Sequence, residues 1–374
     1  MIPYGHQSIE QDDIDAVVKV LKSDWLTTGP TVDEFEKKIC SYTGGKYAVA
    51  VNSGTSALDV AVQALQIPRG SEVISTPFTF AATNNAILFN GLIPVFTDIQ
   101  KETRNINPDE IRKRITKKTK AIMYVDYAGH PCDIDEIKQI AEEHNLLLIE
   151  DAAHALGSSY KGKKVGTFAD VTVFSFHPVK PITTGEGGAA LTDDPRIAEN
   201  MRLLRSHGIK KENKSTKNQD FAWHYDMTML GRNYRLTDIQ AALGLSQMEK
   251  IDRFIEKRNS LASIYHEKLC DISFIELPQT KSDVFHGWHL YTVSMKGVNR
   301  NSFFGHMRNN GIGVNVHYIP TYQLSYYKKN VATDISKYPV TEELFKKIIT
   351  LPLHPAMKES DIDKVEAAIK KFDR

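Results

Sequence analysis

The chain has 374 residues, with 47 Lys and Arg against 46 Asp and Glu, 13 His and three Cys. That length suits a large domain joined to a smaller one, and the charge balance excludes a global field for nucleic acid or an anionic membrane. Cys40, Cys132 and Cys270 stand far apart with no C-x-x-C spacing, which excludes a disulfide framework and favours a reducing compartment. No apolar run approaches the length of a membrane span, and the first residues lack the basic-then-apolar layout of a secretion signal, so a cytoplasmic location is expected.

The first helix is expected over Gln11–Leu21, with Ile14, Val17, Val18 and Leu21 on one face and acidic residues in its first turn. A hydroxyl-rich loop, Trp25-Leu26-Thr27-Thr28-Gly29-Pro30, precedes a second amphipathic helix over 34–42. A strand over 47–51 runs straight into Asn52-Ser53-Gly54-Thr55. From Thr55 to Leu65 nearly every residue is apolar, which predicts a buried helix. Its start offers amides, hydroxyls and the positive end of the dipole, either an anion site suited to a phosphate or an ordinary Ser/Thr cap.

Strands over 72–75, 94–96, 121–125 and 146–150 then alternate with helices from about 81, over 109–115 and over 134–144. This alternation predicts an α/β fold with a mainly parallel sheet covered on both faces. Ligands in such sheets bind beyond the carboxyl ends of the strands. Ser53 to Thr55, Phe80, Asp126, Asp151 with His154, and Lys180 all fall at such ends.

A strand over 171–176 leads to His177-Pro178-Val179-Lys180 and a Gly-rich turn, Gly185-Glu186-Gly187-Gly188, before another apolar run. A lysine at the exit of an interior strand suits a desolvated amine poised to attack a carbonyl; taken alone, it also fits a turn lysine reaching water. A buried carboxylate such as Asp151 beside a pyridine nitrogen favours the pyridinium, the electron sink of pyridoxal phosphate (PLP). In that arrangement Lys180 holds the cofactor, the helix at Thr55 takes its phosphate and Ser175 adds a hydroxyl. Phe80 stacks on one ring face, and Ala153 and His154 flank the other face or the ring hydroxyl. Other chemistries fit worse. His130, His154 and His177 lack zinc-site spacing, so no metal is expected, and no P-loop, dinucleotide fingerprint or G-x-S-x-G elbow is present.

A helix over 197–205 ends at Ser206-His207-Gly208, followed by a polar surface loop, KKENKSTKNQ (210–219), a candidate flap. After the compact loop Leu230 to Arg235, one long helix is expected from about 237 to 269, bridging a large domain (1–245) and a small one (246–374). The small domain reads as α+β, with strands over 289–295 and 314–317 and helices over 300–310, 342–348 and 360–372.

Five segments in order, NSGTSAL (52–58), TPFTFAATNNAI (76–87), EDAAHALGS (150–158), FSFHPVKPITTGEGG (174–188) and LGRNYRLTDIQAALGLSQ (230–247), resemble the DegT/DnrJ/EryC1/StrS sugar aminotransferases of PLP fold-type I. The resemblance implies an aspartate-aminotransferase-like fold with a seven-stranded, mainly parallel sheet in the large domain. It makes Lys180 the Schiff-base lysine and Asp151 the pyridinium partner. His154 then contacts the ring, Phe80 stacks on it, and Gly54, Thr55 and Ser175 hold the phosphate. Asn233 would reach the cofactor of a neighbouring subunit, which implies a homodimer with shared active sites. PLP and its pyridoxamine form (PMP) would alternate between half-reactions.

Asp126-Tyr127-Ala128-Gly129, RSHGI (205–209) and VHYIPTY (316–322) are similar to the family branch that makes a pseudaminic-acid precursor. This implies transfer of the amino group of L-glutamate, leaving 2-oxoglutarate, to C4 of UDP-2-acetamido-2,6-dideoxy-β-L-arabino-hex-4-ulose. Trp25, Thr27, Asp126, Glu186, His207, Arg235, His317 and Tyr318 are candidate substrate contacts, with Arg235 placed for an anionic group; Trp25 and Tyr322 fit packing equally well. Sugar dehydratases of the family carry histidine in place of the lysine; Lys180 here favours transamination. Amination of a dTDP-linked or 3-keto sugar is the nearest rival, and a PLP-binding regulator without turnover is a remote one.

Overall fold

Seven strands form the central sheet of the computed structural model, which describes residues 1–210 and 223–372. They are β1 (Tyr47–Val51), β2 (Glu72–Ser75), β3 (Ile93–Phe96), β4 (Thr119–Val125), β5 (Leu147–Asp151), β6 (Val171–Ser175) and β7 (Gly188–Thr192). Their order across the sheet is β1-β7-β6-β5-β4-β2-β3. Only β7 runs against its neighbours, pairing antiparallel with both β1 and β6, while the remaining pairs are parallel. The fold is thus the α/β, mostly parallel seven-stranded architecture expected above.

The sheet is buried from both sides, so its strands read as apolar runs rather than alternations. On one side α3 (Gly54–Ala64) packs with Val49, Val51, Val73, Met123, Ile149 and Val173 in one core. On the other, Ile74, Ile122, Tyr124 and Leu148 pack with α6 (Ile134–His144). The short connections bring the carboxyl ends of β1, β2, β4, β5 and β6 to one rim, where the first turns of α3 and α4 (Ala81–Phe89) also begin.

The helix expected from about 237 to 269 is two helices, α8 (Asp238–Met248) and α9 (Ile251–Leu269). The break is at Glu249-Lys250, where the Lys250 ammonium is drawn 2.8 Å from the fully buried Asp13 and 2.7 Å from Asp12 of α1 (Gln11–Leu21). The domain boundary expected at 245–246 falls inside α8. A separate apolar core gathers Leu261, Tyr265, Tyr291, Val293, Phe303, Ile349, Leu351, Val365 and Ile369. Its sheet is β8 (Ile275–Glu276), β9 (Tyr291–Met295) and β10 (Ile348–Leu351), all antiparallel.

The strand expected over 314–317 is an extended segment joined to β10 by a single bridge, Asn315 to Thr350. Conversely, β10 begins where helix α12 (Pro339–Lys347) stops, at Ile348, the residue expected to end that helix. The α1 face carrying Ile14, Val18 and Leu21 is exposed, and Asp13 faces inward instead. Gln247 explains the inversion: its amide donates to Asp13 Oδ2 at 2.8 Å, so α1 docks through Asp13 as well as through the buried Val20. Of the loop expected over 210–219, residues 211–219 lie outside the described residues. No helix among the described residues is long and apolar enough to cross a membrane.

Candidate active site

A cavity of about 830 Å³ opens at the rim of the sheet. Its lining includes Gly54, Thr55, Phe80, Asp151, His154, Ser175, Lys180, Glu186, His317 and Tyr318, which the sequence singled out from widely separated segments.

Lys180 stands in a twelve-residue loop whose base is closed by the register pair Ser175–Gly188. Inside it, Phe176 N–H donates to Gly187 O at 2.9 Å, Thr184 N–H to Phe176 O at 3.0 Å and Lys180 N–H to His177 O at 2.9 Å. The amine reaches the cavity yet is surrounded by protein. Burial pushes its pKa down to about 8, while the Asp151 charge pulls the other way.

Asp151 ends β5 and its carboxylate is buried. Thr83 Oγ1 donates to Oδ2 at 2.7 Å and Ala153 N–H to Oδ1 at 3.2 Å. Burial raises this carboxyl, and the Thr83 hydroxyl, the Ala153 amide and the Lys180 charge oppose that rise. His154 Nδ1 accepts the Ala128 N–H at 3.2 Å. Burial and the Lys180 charge hold its ring well below the usual imidazole range, so it is neutral. With Nδ1 accepting, the proton resides on Nε2, which faces Tyr318 Oη at 3.1 Å.

The start of α3 is built for an anion. Ser53 Oγ takes the Ser56 N–H at 3.0 Å and Ser53 O takes the Ala57 N–H, which leaves the Gly54 and Thr55 amides with no partner among the described residues. A Cβ on Gly54 would lie 2.8 Å from Ser175 Cβ, so only glycine lets the helix start and the end of β6 form this cradle. Cradle, desolvated amine, buried carboxylate and the aromatic face of Phe80 line one cavity, and together they fit the needs of pyridoxal phosphate for an anion site, an amine, a carboxylate and an apolar face.

The other candidates lie elsewhere. Asp126 is fully buried and off the cavity, its Oδ1 accepting the Cys132 N–H at 2.9 Å. Val125 and Asp151 are register partners that both line the cavity, so alternation turns Asp126 to the opposite face, beside Glu150. Trp25, Thr27, His207, Arg235 and Asn233 do not line the cavity. Thr27 bridges Thr237, Asn233 bridges Ser206, and Arg235 Nη1 donates to Ser206 Oγ at 3.1 Å. Tyr322 is buried against Phe96 and Tyr338, which makes it packing.

Sequence reasoning missed Tyr4, Thr83, His289 and Asn315, all in the lining. Thr83 stood in the TPFTFAATNNAI segment, three residues after Phe80; the other three carry no local signal and arrive by tertiary packing. His289 rests against His154 with ring centroids 4.4 Å apart. Tyr4 is delivered by the N-terminal segment, where Ile2 N–H donates to Gly311 O and Leu353 N–H to Tyr4 O.

Known proteins match this chain end to end. Residues 7–370 match the model of the DegT/DnrJ/EryC1/StrS aminotransferase family. A UDP-4-amino-4,6-dideoxy-N-acetyl-β-L-altrosamine transaminase of Campylobacter jejuni is 42% identical over 367 residues, covering 96% of this chain and 94% of that protein. The structure of Helicobacter pylori PseC, an aminotransferase involved in pseudaminic acid biosynthesis, superposes with TM-score 0.91 at 34% identity, covering 99% of this chain and 98% of that one. The Streptococcus pneumoniae protein Spr1654 in its PMP form gives TM-score 0.94 at 33% identity, covering 99% and 98%. The chain therefore belongs to the DegT/DnrJ/EryC1/StrS family and is a PLP-dependent sugar aminotransferase.

Proposed function

We propose that this enzyme transfers the amino group of L-glutamate to C4 of UDP-2-acetamido-2,6-dideoxy-β-L-arabino-hex-4-ulose, giving UDP-4-amino-4,6-dideoxy-N-acetyl-β-L-altrosamine. The observation that carries the chemistry is the meeting of Lys180, Asp151 and the start of α3 in one cavity. The likeness to the Campylobacter jejuni transaminase over nearly the full length of both chains supports the substrate.

When bound, PLP supplies an aldehyde to receive the amine and a ring that accepts the electron pair released at the substrate carbon. Gly54, Thr55 and Ser175 hold its phosphate, and Asp151 holds a proton on the ring nitrogen. The Nζ of Lys180 takes a proton from Cα of glutamate in one half-reaction and supplies one to C4 of the sugar in the other. An amine near pKa 8 can do both at neutral pH. His154 donates from Nε2 at the ring edge or to Tyr318, and Phe80 covers the ring face. Glu186, His317 and Tyr318 line the space left for the sugar.

The working form in this reading is a homodimer in which Asn233 reaches the partner's cofactor phosphate. Its exposed position, together with the outward apolar stripe Ile14, Val18 and Leu21 and the exposed Trp25 and Leu26, supports a covered face in solution.

The test supplies L-glutamate with UDP-4-keto, dTDP-4-keto and 3-keto sugars and locates the new C–N bond by NMR. Amination at C4 of the UDP sugar is expected. Turnover confined to dTDP-linked or 3-keto substrates overturns the assignment.

A further inference from the structure

With Asp151 ionised, the hydroxyls beside it admit a single arrangement of donors. Thr83 Oγ1 lies 2.7 Å from Asp151 Oδ2, and Thr79 Oγ1 lies 2.8 Å from Thr83 Oγ1. All three side chains are at least 95% buried. An ionised carboxylate only accepts, so the one proton of Thr83 points at Oδ2. Having given that proton, Thr83 can only accept from Thr79. Two hydroxyl dipoles thus run head to tail into the carboxylate, a directed chain Thr79→Thr83→Asp151 in a poorly hydrated site.

Local structure places both hydroxyls. Phe80 is the N-terminal cap of α4, and Thr83 sits in the first turn with its N–H donated to Phe80 O at 3.2 Å. Thr79 and Thr83 are four residues apart and lie on one side of that turn, and both line the cavity together with Phe80 between them. One turn of helix therefore sets the ring-stacking aromatic and the tether of the carboxylate together.

We propose that Thr83, oriented by Thr79, is a positioning residue that keeps Asp151 ionised and leaves the free lone pairs of Asp151 aimed into the cavity, and through it governs the protonation of the cofactor ring nitrogen. This rests on the reading of Asp151 as the partner of that nitrogen. With the hydroxyl removed, Asp151 keeps one amide donor, from Ala153, and its burial is no longer offset from the α4 side. A hydrogen bond to a charged group is worth enough to change an equilibrium by about tenfold or more.

Holoenzymes of the wild type and of Thr83→Val, Thr83→Ser, Thr79→Val and Asp151→Asn are compared by PLP dissociation constant and by pH titration of the bound cofactor's absorbance. Glutamate half-reaction rates are resolved into kcat and KM. Thr83→Val is expected to weaken PLP binding about tenfold, to shift the absorbance titration in the same direction as Asp151→Asn, and to lower kcat more than it changes KM. Thr83→Ser restores wild-type behaviour, and Thr79→Val gives a smaller shift of the same sign. The inference is overturned if Thr83→Val leaves affinity and titration unchanged while Asp151→Asn alters both, or if Thr83→Ser is as impaired as Thr83→Val. If Asp151→Asn also changes nothing, it is the reading of Asp151 that fails, and the role of Thr83 fails with it. Should Thr83→Val not fold, Thr79→Val and Thr83→Ser decide the matter by the same two readouts.

Discussion

An amine with pKa near 8 is about one-quarter neutral at pH 7.5, against about a thousandth for a lysine at 10.5. The gain in nucleophile has a counterpart in stability. Below pH 8 the folded chain must hold a poorly hydrated ammonium that the unfolded chain leaves in water. Because the folded pKa is below the unfolded one, this cost is fully present under pH 8 and is relieved as pH rises from about 8 to 10.5. Lys180→Met should therefore make the cofactor-free protein about 2 kcal/mol more stable at pH 7, with the advantage gone above pH 10.5. Urea melts at the two pH values measure it, and equal stabilities at pH 7 would refute the desolvation of this amine. Lys180 and Asp151 were legible in the sequence because Asp151 ends, and Lys180 follows, a strand with strong local pattern. Thr83 was not, because its acceptor lies 68 positions away and the contact exists only once α4 docks on β5. Asp126 was misread for the converse reason: a strand end was visible, but the face it turned to depended on register with β5.

Most helices and strands were readable from periodicity, and the exceptions share a cause. Glu249 and Lys250 are good helix formers, so nothing local marks the gap between α8 and α9. The gap is imposed by Lys250, which turns inward to Asp12 and Asp13. Likewise Ile348 to Leu351 follow α12 with no glycine or proline between, and their strand state comes from pairing with β9. The Lys250 contact ties three helices at once. Lys250→Met leaves the Asp13 carboxylate buried without its cation, and a loss of about 3 kcal/mol is expected in urea denaturation. The double variant Lys250→Met/Asp13→Asn should recover part of that loss; full additivity would show that the two side chains do not interact.

For the whole molecule, the decisive question is whether a cavity is completed by a second chain. If Asn233 acts across an interface, Lys180→Ala and Asn233→Ala protomers, each impaired alone, should regain activity when unfolded together and refolded as a mixture. Random pairing leaves about a quarter of the sites with both residues intact, so roughly a quarter of wild-type turnover is expected. No recovery would place Asn233 in its own protomer's chemistry or outside it.

The loop that carries Lys180 is clasped at its base between two interior strands, so the amine has no rigid place until that sheet has assembled. Every other stage of the chain's life, from nascent polypeptide to thermally opened form, presents this lysine as an ordinary hydrated cation. In the reading that gives Lys180 to the cofactor, its site exists only in molecules whose sheet has assembled, so specific uptake of PLP should follow folding rather than precede it.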